Sequence, residues 1–455
     1  MRMHPSPATL WGLTRAARPP APEFDAPQPH RRVLAAPGRT VNLAALETGT
    51  ALRAGPEAWA GRAVGIDVTD QLSAALAVLE LDGVARRLML YPPGLATEHR
   101  PLIWDEAEID ATLTDADIDP GLDPRTGPRP AMGPTEWILL TSGTSGRPKL
   151  VRHTLASLTA AARDAGPATG VWSTFYDIRR YGGLAILLRA LVGGTSMVLS
   201  SDAESVSAFL TRAGASAVTH MSGTPTHWRR AMMSGNHHAI APRTVRLSGE
   251  IADQATLDQL RRAYPTAQVT HAFASTEAGV AFEVTDGKAG FPAKWLDREA
   301  VCLRPVCLRI VEGTLRIRSA RTATGYLAGP PLRDAEGFVD TGDVVVMEHG
   351  RCHYAGRASG VVNVGGAKVH PEEVEAVLNA HPEIRQSLVT ARRNPITGAL
   401  VCADIVAANP VADPFALRER VLEFCRTALP PHKVPVVLRI VPNLAITAAG
   451  KLARA

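Results

Sequence analysis

The sequence lacks a long apolar run. Nowhere in its 455 residues does it reach the roughly 18 consecutive apolar side chains that a membrane-crossing helix requires. The first residues carry Arg2 and Arg15, but no apolar segment there resembles the core of a secretory signal. We therefore expect a cytoplasmic chain without a membrane span.

Patterned cysteine and clustered charge of one sign are also missing. The five cysteines form no Cys-x-x-Cys pair and no cysteine–histidine spacing suited to zinc, so we expect reduced thiols. A formal net charge of +5 is small for this length, and lysine and arginine form no continuous block. Because nucleic-acid-binding proteins concentrate positive charge on one face, we do not expect nucleic acid as a partner. The chain is expected to be a monomer or a homodimer.

What the sequence does contain is an alternation of short apolar runs and amphipathic segments between residues 136 and 280. The amphipathic segments lie near 154–165, 203–213 and 254–263. Such alternation indicates a parallel sheet with helices on both faces. From 300 to 355, short strands separated by glycines predict a meander. A smaller α+β unit follows, with helices predicted near 370–381 and 414–428.

These changes in pattern predict two domains, residues 1–355 and 356–455. The first 40 residues are rich in proline, alanine and arginine, a composition that predicts a loosely packed arm.

The most distinctive short segment is Thr-Ser-Gly-Thr-Ser-Gly-Arg-Pro-Lys, residues 141–149, which directly follows an apolar run. Glycines let backbone N–H groups approach a phosphate closely, while hydroxyl groups add donors and the lysine adds charge. Arg147 and Pro148 separate Gly146 from Lys149, so the segment is not the Walker motif. Taken alone, it is compatible with a phosphate cradle or with an ordinary turn.

Four further segments follow in order. They are Phe-Ala-Ser-Thr-Glu-Ala-Gly at 273–279, Phe-Val-Asp-Thr-Gly-Asp-Val-Val at 338–345, a glycine-containing stretch at 354–375, and Ile-Thr-Ala-Ala-Gly-Lys at 446–451. Together with the first segment they resemble the adenylate-forming superfamily, which includes the AMP-dependent acyl-CoA synthetases. The resemblance implies an α/β fold: a large N-terminal domain of parallel sheets flanked by helices, a small β-barrel-like subdomain, and a small mobile α+β C-terminal domain.

The resemblance also implies a reaction and a set of residues. The chain would activate a small carboxylic acid with ATP and Mg²⁺, release pyrophosphate, and pass the acyl group to the thiol of CoA. The implied catalytic residues are Lys451, Thr276 and Glu277, and Glu277 is also the implied metal ligand. The residues implied to hold ATP are Thr141, Ser142, Gly143, Thr144, Ser145, Gly146, Lys149, Ser275, Asp343 and Arg357. Ser359 is the implied hinge, where an acidic residue is common in the family, and Gly365 and Gly366 would contact the thiol.

The acid pocket is expected to draw on residues 172–183, 220–228, 247–250 and 270–275. The residues proposed to line it are Trp172, Arg179, Tyr181, Met221, Ser248 and Phe273. In this region Arg179 and Arg180 occur where many relatives carry a histidine or an aromatic residue that gates the pocket. A pocket arginine would pair with a second carboxylate or another anionic substituent; the alternative is a solvated or phosphate-facing pair.

Two other functions stay open. The segment Leu-Ser-Gly-Glu-Ile-Ala-Asp-Gln at 247–254 is closer to the amino-acid-adenylating branch of the superfamily, so loading of a phosphopantetheinyl carrier protein is the alternative to CoA. A catalytically silent nucleotide-binding homologue is the alternative from a different class.

Overall fold

The computed structural model describes residues 9–17, 32–125, 127–141, 148–296, 305–394, 398–447 and 451–453. The structural statements below concern these residues, and residues 142–147 of the predicted phosphate loop lie outside them.

The helices alternate with strands through most of the chain. In the described ranges, the α-helices are α1 (Leu10–Ala16), α2 (Gln71–Leu81), α3 (Arg100–Glu106), α4 (Leu155–Ala165), α5 (Tyr181–Val192), α6 (Val206–Ala215), α7 (Pro225–Met233), α8 (Gln254–Ala263), α9 (Pro371–Ala380) and α10 (Pro414–Ala428). The bounds of α4, α6, α8 and α10 agree closely with the prediction. Each of these four begins after a Thr, Ser or Asp whose side chain accepts a hydrogen bond from the first turn, which satisfies backbone N–H groups that have no partner within the helix.

The strands are short and are named in chain order. Within the same ranges they are β1 (Val33–Ala36), β2 (Arg39–Asn42), β3 (Gly49–Leu52), β4 (Ala63–Asp67), β5 (Arg87–Leu90), β6 (Ala111–Thr114), β7 (Ile118–Pro124), β8 (Glu136–Thr141), β9 (Lys149–Thr154), β10 (Val171–Thr174), β11 (Ser196–Val198), β12 (His220–Gly223), β13 (Thr244–Ser248), β14 (Gln268–Ser275), β15 (Gly279–Val284), β16 (Phe291–Pro292), β17 (Val306–Val311), β18 (Thr314–Ser319), β19 (Gly325–Tyr326), β20 (Val339–Glu348), β21 (Arg351–Arg357), β22 (Val362–Val364), β23 (Ala367–Val369), β24 (Ile384–Asn394), β25 (Gly398–Ala407) and β26 (Val437–Ile440).

Two mostly parallel sheets form the N-terminal body. The first has the order β15-β14-β13-β12-β10-β11-β1-β2, and the second has the order β19-β9-β8-β5-β4-β6. Pairing is parallel from β14 to β1 in the first sheet and from β8 to β6 in the second. Helices α2 and α5 supply residues to a core that also takes side chains from both sheets. All residues of α2 are buried, as expected for a helix between two sheets.

A five-stranded antiparallel sheet of order β16-β21-β20-β18-β17 follows the parallel sheets. It is the meander predicted between residues 300 and 355. Its core contains Phe291, Leu315 and Ile317, each almost fully buried. The predicted fold class is therefore confirmed for the N-terminal part of the chain.

The C-terminal unit has its own hydrophobic core. Strands β24, β25 and β26 form a sheet, and β22 pairs with β23 in a hairpin. Val374 and Leu378 of α9 pack with Val401, Ile405 and Val421 in a cluster whose members all lie between residues 362 and 438. The domain boundary predicted at residue 356 falls within β21. It stays a prediction. The predicted hinge residue Ser359 lies in a short 3-10 segment, Ala358–Gly360, between β21 and β22.

Two expectations need correction. The first 40 residues are not uniformly loosely packed, because Leu10 and Trp11 of α1 are buried in the core and β1 and β2 complete the first sheet. The cysteines are not all reduced: Cys352, Cys402 and Cys425 are free and buried, whereas Cys307 is disulfide-bonded. None of the helices in the described ranges combines the length and the apolar character needed to cross a membrane.

The separate C-terminal core generates a stability prediction. Leu378 is fully buried in that core, so Leu378→Ala is expected to lower the free energy of unfolding of the C-terminal unit by about 2–5 kcal/mol. The control Val436→Ala changes a side chain that is 64% exposed and should stay within about 0.5 kcal/mol of the parent chain. Urea unfolding monitored by hydrogen exchange of β24 and β25 amides measures both. Equal effects of the two changes would contradict the assignment of this core.

Candidate active site

A cavity of about 720 Å³ lies where the carboxyl ends of several parallel strands meet the C-terminal unit. Residues at or just beyond the ends of β8, β10, β12, β13 and β14 line one side, and α9 and the segment around Lys451 line the other. Ligands commonly bind at this edge of parallel α/β sheets. The cavity contains the predicted residues Thr141, Ser275, Thr276, Glu277, Asp343, Arg357 and Lys451.

Lys451 is held in the cavity by a short bridged loop. Ile446 pairs with Leu452 across the loop, and the Thr447 N–H donates to the Lys451 carbonyl at 2.8 Å. The aliphatic part of the Lys451 side chain lies beside Gly249. A Cβ atom added at Gly249 would be 3.6 Å from Cε of Lys451. Lys451 as a whole residue retains solvent-accessible surface, and its side chain lines the cavity. Burial of its charged group nevertheless lowers the pKa of Lys451 from its ordinary value, and the nearby Glu250 carboxylate opposes that shift.

Glu250 joins three parts of the structure. One carboxylate oxygen accepts from the Leu452 N–H at 3.2 Å and from the Thr226 hydroxyl at 3.1 Å, while the other accepts from the Thr226 N–H at 2.9 Å. The residue follows β13, Thr226 is in the first turn of α7, and Leu452 adjoins the lysine. This carboxylate therefore positions the lysine loop against the large domain. No local pattern in the segment 247–254 predicts this role for Glu250.

Asp343 and Arg357 face each other across β20 and β21. Their side chains are 3.5 Å apart, and Arg357 also donates to the Thr341 carbonyl at 2.6 Å. Burial raises the pKa of Asp343, and Arg357 opposes the shift. Nearby, the rings of Phe273 and Tyr354 stack with centroids 5.7 Å apart. Two parallel rings beside an aspartate give a surface for a planar base and an acceptor for ribose hydroxyls.

The Thr276–Glu277 segment is fixed by a buried histidine from the other sheet. His153 on β9 hydrogen-bonds the Thr276 carbonyl through Nε2 at 2.7 Å and the Ser157 hydroxyl through Nδ1 at 3.0 Å. Its ring stacks on Tyr181. Burial lowers the pKa of His153 to about 4, so the ring is neutral at pH 7 and donates one proton to the carbonyl. Ser275 accepts from the Ala278 N–H at 3.0 Å and thereby closes the same turn.

Glu277 offers a single carboxylate to the cavity. Its nearest hydrogen-bond partner is the Tyr326 hydroxyl at 3.5 Å, and the ammonium of Lys149 lies 5.1 Å from the centre of the Tyr326 ring. Burial raises the pKa of Tyr326 to about 12. No group of three or more metal-ligating side chains occurs in the part of the chain that the structure describes. One carboxylate fits Mg²⁺ held mainly by phosphate oxygens and water, and does not fit a protein-only metal cage.

The structure supports only half of the residues predicted to line the acid pocket. Tyr181, Ser248 and Phe273 line the cavity. Trp172 and Met221 do not: both are buried in the hydrophobic core, and Trp172 stacks on His220 with centroids 4.5 Å apart. Both lie within strands rather than at their carboxyl ends, and Phe175, just beyond the end of β10, faces the cavity instead.

Arg179 is also outside the cavity lining, which corrects its assignment as a pocket residue. Its guanidinium pairs with Asp177 at 2.6 Å and donates to the carbonyls of Val68 and Thr69 at 2.6 and 2.9 Å. The ion pair with Asp177 compensates the charge of Arg179, and the two carbonyls belong to the segment that follows β4. The neighbouring Arg180 lines the cavity.

Two further cavity residues were not singled out from the sequence. The hydroxyl of Tyr176 donates to the Ser248 carbonyl at 2.5 Å. His227 closes the capping box of α7 with Thr224 and stacks on Phe175. Burial lowers the pKa of His227 to about 3, so this ring is neutral at pH 7. Tyr176 lies in the segment 172–183 and His227 in the segment 220–228, both of which were expected to form the acid pocket. Only their positions after the ends of β10 and β12 separate them from the core residues of the same segments.

The remaining predicted residues are distributed as follows. Thr141 lines the cavity, Lys149 is exposed at the start of β9, and Ser142, Gly143, Thr144, Ser145 and Gly146 lie outside the described residues. Gly365 and Gly366 form the exposed turn between β22 and β23, away from the cavity lining. Their φ angles of +60° and +89° favour glycine at both positions.

Comparison with known proteins agrees with this geometry. The chain is similar to the 2-succinylbenzoate–CoA ligase of Bacillus licheniformis, with 27% identity over 336 residues, covering 70% of this chain and 68% of that protein. Among solved structures, it superposes on o-succinylbenzoate CoA synthetase of Bacillus subtilis in complex with an acyl-adenylate intermediate, with a TM-score of 0.73, 18% identity and coverage of 97% and 96%. It also superposes on an amide bond synthetase of Marinactinospora thermotolerans, with a TM-score of 0.74, 20% identity and coverage of 97% and 98%. At these identities the two structures support the fold alone.

Family comparison covers most of the chain. The AMP-binding enzyme family matches residues 71–327, and the AMP-binding enzyme C-terminal domain matches residues 373–451. The second match ends at the lysine that the structure places in the cavity. The chain therefore belongs to the AMP-binding enzymes, the adenylate-forming family that its sequence motifs indicated.

Proposed function

We propose that this enzyme activates a small carboxylic acid with ATP as an acyl-adenylate and then transfers the acyl group to the thiol of CoA. The observation that carries the proposal is the position of Lys451. Its side chain enters a cavity that also contains Thr276, Glu277 and Asp343, so that three distant parts of the sequence, near residues 276, 343 and 451, meet there. A catalytically silent homologue would not need this convergence.

In the first half-reaction, an oxygen of the substrate carboxylate attacks the α-phosphorus of ATP, and pyrophosphate leaves with the electrons of the broken P–O bond. Asp343 would accept from the ribose hydroxyls, and Phe273 with Tyr354 would contact the adenine. Thr276 would contact the α-phosphate. Lys451 would contact the attacking carboxylate and the α-phosphate, where negative charge accumulates in the transition state. Glu277 would hold Mg²⁺, which neutralises phosphate charge when bound.

In the second half-reaction, the thiol attacks the acyl carbon and AMP leaves. The cavity in the present conformation contains Lys451 and does not contain Gly365 or Gly366. We propose that the C-terminal unit rotates about the segment near Ser359, withdrawing the lysine and bringing the glycine turn to the thiol. The structure would then represent the adenylate-forming conformation.

CoA is the proposed acceptor because the curated relative above is named a CoA ligase. The acid side of the cavity includes Phe175, Tyr176 and Tyr181 together with Ser248. These side chains suit an acid with an aromatic or similarly sized apolar body. A phosphopantetheinyl carrier protein would present the same kind of thiol and is the alternative acceptor.

The reaction is tested by acid-dependent exchange of labelled pyrophosphate into ATP across a panel of carboxylic acids. The acid that supports exchange is then offered with CoA, with a phosphopantetheinyl carrier protein, or with neither. Formation of AMP, pyrophosphate and acyl-CoA is expected. Formation of ADP, or the absence of exchange with every acid, would contradict the proposal, and acylation of the carrier protein alone would reassign the acceptor.

Lys451→Ala is expected to separate the two half-reactions. The change removes the ammonium group from the cavity, so adenylate formation should fall by about 100-fold or more. Thioester formation from a supplied acyl-adenylate should be largely retained, since the lysine is withdrawn in that step. Pyrophosphate exchange and acyl-CoA formation measure the two steps. Lys294→Ala, at an exposed position outside the cavity, is the control, and equal loss of both steps in Lys451→Ala would contradict the assignment.

His153→Phe is expected to slow adenylate formation without removing any group from the cavity. Phenylalanine can keep the stacking on Tyr181 but leaves the Thr276 carbonyl without its donor, which costs about 1–3 kcal/mol for a buried group. We expect a several-fold rise in the KM for ATP and a lower melting temperature. His238→Phe makes the same change at an exposed position and should alter neither. An unchanged KM for ATP in the His153 variant would show that this hydrogen bond does not position Thr276.

A further inference from the structure

Arg180 lines the cavity, where the carboxylates of Asp177 and Asp202 act on it from beyond ion-pair distance. One guanidinium nitrogen donates to the Pro93 carbonyl at 2.7 Å, and no ion pair of Arg180 occurs among the described residues. Its Nε is enclosed and has no hydrogen-bond partner there. Guanidinium has five N–H donors, and enclosed donors are normally satisfied. The remaining donors of Arg180 therefore lack an acceptor supplied by the described part of the protein.

The preceding residue provides a direct contrast. Arg179 makes a forked ion pair with Asp177 through Nε and Nη2, and Nη1 donates to two backbone carbonyls. Arg179 is a scaffold residue with its donors used. Arg180 faces the cavity with most of its donors available, which is the arrangement expected of a residue that receives an anionic ligand.

The position of Arg180 indicates which anion. Its partner Pro93 follows β5, and β5 pairs in parallel with β8 in the register Leu88 to Trp137 and Met89 to Ile138. Continued along the chain, this register brings the segment after β5 beside Thr141, the residue directly before the glycine-rich segment 142–147. Thr141 and Arg180 line the same cavity. Arg180 therefore hydrogen-bonds a segment that this register, if extended, brings near Thr141.

Other charged groups act on the same part of the cavity. Burial is the main cause of the lowered pKa of Lys451; Arg357 and Arg180 lower it further, whereas Glu250 and Asp343 raise it. Arg180 precedes the first residue of α5, and Tyr181 and Gly182 of the first turn line the cavity. The positive end of this helix adds to the potential of the guanidinium.

We propose that Arg180 binds the β- and γ-phosphoryl oxygens of ATP and retains the pyrophosphate group as it departs. This inference rests on the proposed function, because it assigns a further residue to the same first half-reaction. As the bond from the substrate carboxylate oxygen to the α-phosphorus forms, the bond from the α-phosphorus to the bridging oxygen of the β-phosphate breaks. The electron pair stays on that oxygen, and no proton is transferred. A forked guanidinium contacts phosphate oxygens with two N–H groups and stabilises the charge that collects there.

The role predicts a specific kinetic pattern for Arg180→Gln. In acid-dependent pyrophosphate exchange, the KM for pyrophosphate and the KM for ATP should each rise by about 10-fold or more, and the exchange rate should fall by about 100-fold. The KM for the carboxylic acid should stay within about 3-fold, since a shift of that size is less than 1 kcal/mol. Arg180→Lys should recover part of the loss, because it restores the charge but not the planar fork.

Two controls separate this role from a structural one. Acyl-CoA formation from a supplied acyl-adenylate does not involve pyrophosphate and should be unchanged in Arg180→Gln, which also shows that the variant is folded. Arg163→Gln makes the same chemical change on the exposed surface of α4 and should leave all of these constants unchanged.

Three results would overturn the proposal or its premise. A large rise in the KM for the acid, with the KM for pyrophosphate unchanged, would assign Arg180 to a second anionic group of the acid. Unchanged constants for all substrates would show that Arg180 has no role in binding. Absence of exchange in the parent enzyme with every acid would contradict the proposed function itself, and so is distinct from a failure of the Arg180 assignment.

Discussion

The carboxylate of Glu250 is the interaction on which the arrangement of this active site depends. It accepts hydrogen bonds from Thr226 of the large domain and from the backbone beside Lys451. A second, longer contact joins Asn379 of α9 to Asp253 at 3.4 Å. Both of these contacts between the domains are polar, and each domain has its own hydrophobic core. Such an interface can open without exposing either core, which suits a lid that alternates between two positions.

The cavity gathers charges of both signs that would be unfavourable in isolation. Burial lowers the pKa of Lys451 and raises the pKa of Asp343, which in each case means that the charged form is disfavoured. These groups are held in place by backbone geometry: a bridged loop for the lysine and a pair of adjacent strands for the aspartate. Bound nucleotide would supply phosphate charge for the lysine and hydroxyl donors for the aspartate. The site is thus organised around partners that a substrate would bring.

The part of the fold and site that depends on local pattern could be predicted from the sequence. The bounds of α4, α8 and α10 follow from capping residues and apolar periodicity, and Thr276, Asp343 and Lys451 were found because each lies in a short motif. Side-chain direction was harder to predict. Trp172 and Met221 lie within strands and point into the core. Arg180 lines the cavity whereas the adjacent Arg179 does not. His153 contacts Thr276 and Glu250 contacts Leu452, each more than 100 residues away in the sequence, and no local pattern indicates such contacts.

The hydrogen bond between His153 and Thr276 has a broader consequence. It connects the outer part of one sheet to the catalytic edge of the other, because β9 and β14 belong to different sheets. A sliding motion of the two layers would therefore displace the threonine from the nucleotide. Given the proposed role of Thr276, substitutions that repack the interior between the layers would then affect turnover as well as stability, even far from any substrate.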